Sequence, residues 1–155
     1  MHRRTFLATV GAGTTVAVAG CLDGGAGASE YDVGMSIDSF RPEELTVTAG
    51  TTVTWRNTSS HGHTVTAFQD AYPNDASFFA SGGFDSQTEA EQAWESDNGG
   101  VLKQGDTFEH EFTVPGQYDY FCVPHLSAGM VGTVRVERGD TAGRDSVTTR
   151  IALSI

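Results

Sequence analysis

Three residues that bind soft metal ions lie close together near the carboxyl end of the chain. Cys122 is followed by His125 and then by Met130 within the segment YFCVPHLSAGMVG. One strand end and the short loop after it therefore offer a thiolate, an imidazole and a thioether. Thiolate and thioether are soft donors and imidazole suits copper, so the set favours copper over calcium, magnesium or manganese. Structural zinc seldom uses methionine, which also favours copper.

A second imidazole is needed for a trigonal copper plane of two histidines and one cysteine with a weak axial methionine. The upstream candidates are His61 and His63, in the segment SSHGHTV. We predict His63, because it opens the alternating run His63–Phe68 and can be fixed at the start of a strand. His61 lies in the preceding turn. Exchange of His61 for His63 as the ligand is the alternative.

The elements that must position these donors are strands. Several short runs of alternating apolar and polar residues, separated by turn residues, predict an antiparallel β-sandwich or barrel. In the second run Val53 and Trp55 share one face, which indicates core positions. His110 shares a face with Phe108 and Phe112, so we interpret it as a partly buried structural histidine. The runs are Glu44–Thr48, Thr52–Arg56, His63–Phe68, Asp106–Val114, Gln117–Phe121 and Gly132–Glu137.

The segment 69–100 interrupts this pattern with Pro73, two double glycines and the polar stretch TEAEQAWE. We expect an excursion at the edge of the sandwich. Within it, Thr88–Glu95 could form one or two helical turns, with Trp94 packing back onto the sheet.

The segments GHTV and CVPHLSAGM together resemble the plastocyanin family, and particularly the halocyanins of salt-loving archaea, over residues 31–138. The resemblance implies an all-β, cupredoxin-like Greek-key sandwich with a short helical excursion and one bound copper ion. It also implies that His63, Cys122 and His125 are the equatorial copper ligands and that Met130 is the axial ligand.

Two residues near the site bear on how it is tuned. Plastocyanins commonly carry asparagine after the upstream histidine, where this chain has Thr64. A hydroxyl replaces an amide there, so we expect a weaker brace across the site. Pro124 has no backbone N–H to donate to the neighbouring thiolate.

The chain opens with MHRRTFLATVGAGTTVAVAGC, which we interpret as an export signal over residues 1–21. The paired arginines resemble a twin-arginine signal, and the Val-Ala-Gly-Cys ending resembles a lipobox, so Cys21 would become the lipidated first residue. Two acyl chains hold a protein stably, which predicts an anchor on the outer face of the cell membrane. Cleavage and release without lipid is the alternative.

At 155 residues the chain has room for one domain, which we place at residues 31–138. Residues 22–30 are glycine-rich and predict a flexible linker. Residues 139–155 predict a weakly ordered tail, although an additional edge strand is an alternative.

The charge pattern excludes one class of partner. Twenty acidic residues against nine basic ones give a net charge of −11, so nucleic acid should be repelled. Dispersed acidic residues with a single lysine, Lys103, also resemble a salt-adapted proteome.

The expected function is electron transfer and not catalysis, since four protein ligands leave no open position for a substrate. Five histidines, two of them already used, cannot build a further copper centre. We expect a monomeric blue copper carrier that cycles between Cu(I) and Cu(II) in a respiratory-type chain, with a membrane respiratory complex or a cytochrome as redox partner. The alternatives are a copper storage or delivery protein, and an adhesion sandwich with a vestigial loop.

Overall fold

The computed structural model describes residues 30–139 of the chain. The predicted export signal, nearly all of the linker and the tail beyond Gly139 lie outside these residues. The described part contains eight strands, one α-helix and one short 3-10 helix. They are β1 (Val33–Met35), β2 (Phe40–Arg41), β3 (Glu44–Thr48), β4 (Thr51–Asn57), β5 (Thr66–Ala67), α1 (Gln87–Asp97), β6 (Thr107–Phe112), β7 (Gly116–Phe121), the 3-10 helix (Val123–Ala128) and β8 (Val131–Glu137).

The strands form two four-stranded sheets, with the orders β2-β1-β4-β6 and β3-β8-β7-β5. From β2 to β7 each consecutive strand lies in the opposite sheet, so the chain crosses the sandwich repeatedly. Only β1 with β2 and β7 with β8 are neighbours both in sequence and in a sheet. This arrangement confirms the predicted all-β, cupredoxin-like sandwich with a short helical excursion.

Two of the strand pairs are parallel, which differs from the antiparallel β-sandwich or barrel that the alternating runs predict. Strand β1 runs parallel to β4, with Val33 opposite Trp55, and β3 runs parallel to β8, with Leu45 opposite Val134. Alternation and turn residues indicate the relative direction only of two strands that are joined by a short turn. The parallel partners are distant in sequence and become neighbours only because the chain crosses between sheets.

The core lies between the sheets and is centred on Trp55, which is completely buried. Its indole packs against the rings of Phe79, Phe112 and Tyr120 at centroid distances of 5.4 to 6.2 Å. Aromatic pairs at these distances add to the stabilisation that comes from burial alone. His110 is half-buried and stacks on Phe79 at 4.6 Å, in agreement with a structural role.

The excursion 69–100 contributes more to the sandwich than an edge segment would. Helix α1 is longer than predicted and is capped by Ser86, whose side chain accepts a hydrogen bond from the Glu89 N–H. Before the helix, Phe79 is buried in the core, and the Ala67 N–H donates to its carbonyl at 2.9 Å. Such capping and core packing fix the excursion against the sheets.

Trp94 lies beside the loop that precedes His63. A Cβ placed on Gly62, in the loop before His63, would lie 4.0 Å from the Trp94 ring and 2.9 Å from Val101. Helix α1 therefore packs against the loop that leads to the metal-binding residues. Among residues 30–139, no helix is long and apolar enough to cross a membrane.

Candidate metal centre

Three of the predicted metal-binding side chains meet at one end of the sandwich. One ligand atom each from His63, Cys122 and His125 lies within 4.8 Å of the other two. The Cys122 Sγ atom is 3.6 Å from the His63 Nδ1 atom and 3.4 Å from the His125 Nδ1 atom. Both imidazoles thus turn the same ring nitrogen toward the sulfur, as donors to a shared ion would.

The loop after β7 holds Cys122, His125 and Met130 in a compact turn. Cys122 precedes the 3-10 helix, and its carbonyl accepts a hydrogen bond from the His125 N–H at 3.2 Å. The Met130 N–H donates to the His125 carbonyl at 3.2 Å, and the Met130 carbonyl accepts from the Cys122 N–H at 3.1 Å. Gly129 has a φ of 82°, which lets the chain reverse there without a Cβ penalty. Met130 itself is completely buried.

His63 is held by backbone pairing with Leu102 and not by a long strand. The predicted run His63–Phe68 contains the two-residue strand β5 and two isolated bridges, one between His63 and Leu102 and one between Thr66 and Ala80. Two backbone hydrogen bonds of 3.1 and 2.7 Å join His63 to Leu102. The residue that fixes His63 therefore comes from the segment just after the excursion, which the sequence pattern did not indicate.

His61 lies outside the cluster of donor atoms. Its side chain is exposed, and its ring stacks over that of His125 with centroids 6.1 Å apart and planes 13° apart. His63, in contrast, has no exposed surface. The structure thus brings His63 and not His61 to the cysteine.

Thr64 bridges the two loops that carry the donors. Its backbone N–H donates to the Cys122 Sγ atom at 3.4 Å, and its Oγ1 atom accepts a hydrogen bond from the Val123 N–H at 2.8 Å. Thr64 is 2 % exposed, and the bond to the sulfur is buried, whereas the bond from Val123 is partly buried. The hydroxyl therefore makes a brace across the site, and its weakness relative to an asparagine amide stays a prediction. The Cys122 sulfur thus accepts one backbone hydrogen bond from the loop that carries His63 and Thr64.

Replacing Thr64 with valine should loosen the site while keeping its shape. The Val123 N–H would lose its acceptor, and leaving a buried donor unpaired costs about 1 to 3 kcal/mol. We expect the free energy of unfolding to fall by about that amount in urea titrations. Thr64→Ser keeps the hydroxyl and should recover most of the loss. Equal stability of the valine variant and the wild type would contradict the brace.

Two polar residues that the sequence reasoning missed lie behind His63. The Ser59 Oγ atom is 2.9 Å from the His63 Nε2 atom, and Asn57 contacts Ser59. A signal for Asn57 was available. It continues the alternation of Val53 and Trp55, which places a polar side chain at a core-facing position of β4. No comparable signal marks Ser59.

The surroundings shift the protonation of all three donors. Burial, followed by the nearby His125 and His61, lowers the pKa of His63 from 6.5 to about 4. Burial and His61 also lower the pKa of His125, and Asp38 partly opposes this. Burial raises the pKa of the Cys122 thiol, against hydrogen bonds from Thr64 and His125 that favour the thiolate. Both imidazoles are therefore neutral near pH 7 and available as donors.

The metal-free protein should lose stability as pH falls from about 6.5 to about 4. The folded-state pKa of His63 is about 4 against 6.5 for the free side chain, so the unfolded chain binds more protons in this window. Stability contributed by neutral His63 is complete above 6.5 and is lost toward 4, by roughly 3 kcal/mol. Urea unfolding between pH 7.5 and 4 measures it. His63→Gln should flatten the profile, and an unchanged slope in that variant would contradict the assignment.

The site reaches the surface at one point. His125 is half-buried, whereas Cys122, His63 and Met130 have no exposed surface. Leu126, beside His125, is 39 % exposed. Among the described residues the metal-binding cluster therefore communicates with solvent through the edge of His125, next to an apolar side chain.

Comparisons with known proteins agree with this arrangement. The chain matches the family model described as copper binding proteins, plastocyanin/azurin family, over residues 29–137. It is 34% identical over 127 residues to the chloroplastic plastocyanin of Oryza sativa subsp. indica, covering 81% of this chain and 73% of that protein. It is 33% identical over 98 residues to the plastocyanin of Scenedesmus fuscus, covering 63% of this chain and 86% of that protein.

Among solved structures, the amicyanin from Paracoccus versutus is 27% identical, with a TM-score of 0.49, covering 73% of this chain and 86% of that one. A purple cupredoxin from Nitrosopumilus maritimus is 27% identical, with a TM-score of 0.44, covering 68% of this chain and all of that one.

Proposed function

The chain belongs to the copper-binding plastocyanin/azurin family, and from this premise we propose that it is a blue copper protein that carries single electrons between redox partners. Its cofactor is one copper ion, as predicted, since the family binds copper and the chain presents a matching group of donors. The observation that carries the proposal is the convergence of the Cys122 sulfur and two imidazole nitrogens at one buried point.

We assign the three equatorial positions to His63 Nδ1, Cys122 Sγ and His125 Nδ1, and the axial position to Met130. Metal bonds of about 2.0 to 2.3 Å to nitrogen and sulfur separate trigonal donors by about 3.5 to 3.8 Å. Of the two sulfur-to-nitrogen distances, 3.6 Å lies within that spacing and 3.4 Å lies just below it. The burial of Met130 and its backbone bonds to the loop support an axial role.

The residues favour an electron carrier over a catalyst. When bound in such a site, copper supplies reversible one-electron chemistry between Cu(I) and Cu(II). Three of the four proposed ligands are inaccessible to solvent, and the donors come from two braced loops that resist rearrangement. The exposed edge of His125 gives an electron a short path to a partner, and Leu126 gives that contact an apolar rim.

A storage or delivery protein is the second candidate. Such a protein usually offers several soft sites, whereas residues 30–139 contain one group of three potential metal-binding side chains of the histidine, cysteine or carboxylate type. This single buried group favours redox cycling.

The cellular setting is a further part of the proposal. The sequence of residues 1–21 supports export and lipidation at Cys21, which would tether the domain through residues 22–30 to the outer face of the membrane. The acidic composition supports a halocyanin-like carrier from a salt-loving organism. We propose a membrane respiratory complex or a cytochrome as its partner. Mass spectrometry of the native N-terminus tests the lipid, since an unmodified terminus would show release.

The visible and EPR spectra of the copper-loaded protein test the central proposal. An oxidised sample should show an intense blue thiolate-to-copper band, and it should bleach and recover through repeated one-electron cycles. Copper uptake without that band would overturn the electron-carrier assignment. Tight binding of Cu(I) that resists oxidation would indicate storage.

A further inference from the structure

The amide of Asn57 can take only one orientation. Its Nδ2 atom lies 2.5 Å from the His61 carbonyl oxygen and 2.8 Å from the Leu102 carbonyl oxygen. Carbonyl oxygens only accept hydrogen bonds, so both positions require the NH2 group. The Oδ1 atom of Asn57 must therefore face the other way, toward Ser59. Asn57 is 1 % exposed, so water does not offer an alternative partner.

This orientation determines where the Ser59 hydroxyl proton goes. The Ser59 Oγ atom lies 3.0 Å from the Asn57 Oδ1 atom and 3.5 Å from the His61 carbonyl oxygen, and both of these are acceptors. Donation of the single hydroxyl hydrogen to Asn57 Oδ1 keeps two acceptor oxygens from facing each other at 3.0 Å with no hydrogen between them. The Oγ atom can then only accept further hydrogen bonds, and it already accepts one from the His61 N–H at 3.2 Å.

The remaining contact of Ser59 is with His63. With the hydroxyl proton on the side of Asn57, the Oγ atom 2.9 Å from His63 Nε2 acts as the acceptor, and Nε2 carries a proton. A neutral imidazole with a proton on Nε2 has its lone pair on Nδ1. That is the nitrogen 3.6 Å from the Cys122 sulfur.

We propose that Asn57 and Ser59 form a hydrogen-bond relay that holds His63, before any metal binds, in the ring orientation and tautomer that a copper ligand needs. The inference deepens the proposed function, on which it rests for the identity of the metal. Asn57 and Ser59 are positioning residues, because they act on the metal only through His63. Hydrogen bonds behind a metal-binding histidine fix its tautomer and raise its basicity, and their loss typically lowers metal affinity about 10- to 100-fold.

The relay also links three parts of the fold. Asn57 ends β4, Ser59 lies in the turn that follows, and Leu102 follows the excursion and pairs with the His63 backbone. Leu102 accepts a hydrogen bond from the Asn57 amide and also pairs with the main chain of His63. One residue therefore fixes both the relay and the backbone of the histidine that the relay orients. This explains how a histidine without a long strand around it is held in place.

The test begins on the full-length, metal-free protein with nitrogen-15 NMR of the histidine rings near pH 7.5. We expect His63 in the Nε2–H tautomer, with an Nε2 proton that exchanges slowly. Ser59→Ala removes the acceptor and should speed that exchange at least tenfold. Ser60→Ala is the matched control, because Ser60 is the exposed neighbour, and Ser59→Thr keeps the hydroxyl and should restore slow exchange.

The same variants are then compared by competition with a coloured Cu(I) chelator. Ser59→Ala should weaken copper binding about 10-fold or more, while Ser60→Ala stays within about twofold of the wild type. An Nδ1–H tautomer in the metal-free wild type, or equal copper affinity of the two alanine variants, would overturn the relay. Since the NMR measurement uses no metal, failure of the wild type to bind copper would refute the proposed function and not the tautomer assignment.

Discussion

Cys122→Ser is expected to abolish the blue colour completely and to weaken copper binding by more than about 100-fold. The thiolate is the soft anionic donor of the proposed site, and a serine hydroxyl at the same position is a hard donor that stays protonated near neutral pH. Changes behind the ligands alone cost about 10- to 100-fold, so removal of a ligand should exceed that range. Visible absorption and chelator competition measure the two effects.

The fold of the Cys122→Ser variant should persist, which separates loss of the ligand from loss of structure. The change replaces sulfur by oxygen in a buried position, and the Thr64 N–H that donates to the sulfur can donate to the hydroxyl instead. Circular dichroism of the metal-free variant should match the wild type. Met130→Leu provides the contrast, because it leaves the trigonal donors in place and should remain blue with an altered reduction potential. A blue Cys122→Ser variant would exclude Cys122 as the ligand.

The second large effect is expected to distinguish the two upstream histidines. His63→Ala should lower copper affinity by more than about 100-fold and remove the blue band, since it deletes a completely buried donor. His61→Ala should leave the copper affinity and the intensity of the blue band within a few-fold of the wild type, because His61 is exposed and lies outside the donor cluster. Titration of each metal-free variant with copper, followed by absorption, measures the difference.

The pair forms its own control, since the two histidines are two positions apart and share the same loop. A general disturbance of that loop would affect both variants alike. Comparable losses in His61→Ala and His63→Ala would therefore contradict the assignment, and a larger loss in His61→Ala would reverse it. Unfolding measurements on both metal-free proteins show whether either substitution acts through stability.

Much of the fold could be predicted from the alternation of side chains. The runs around Glu44–Thr48, Thr52–Arg56 and Gly132–Glu137 correspond closely to β3, β4 and β8. Alternation succeeds there because each strand has one face against the core. The two short strands β1 and β2 were missed, since two or three residues are too few to display a period.

The excursion was harder to interpret for a related reason. The polar stretch predicted a helix with Trp94 on the sheet, but it gave no indication that Trp94 lies beside the loop at Gly62. Burial of Phe79 between the sheets, and the contact of Trp94 with the loop at Gly62, depend on surfaces supplied by distant strands. No local pattern encodes the position of those surfaces.

The chemistry of the metal-binding loop could be predicted from the residues alone. Cys122, His125 and Met130 are so close along the chain that one short loop can hold them together, and their side chains favour copper. His63 reaches that loop, 59 residues away, because β5 pairs with β7 within one sheet and sets Thr66 opposite Phe121. The same pairing sets Thr64 against Cys122. The hydrogen bond from the Asn57 amide to the Leu102 carbonyl joins residues 45 positions apart. Contacts over such separations are selected by the burial of whole faces, so only the folded chain places Asn57 and Ser59 behind His63, the histidine that the alternating run predicts.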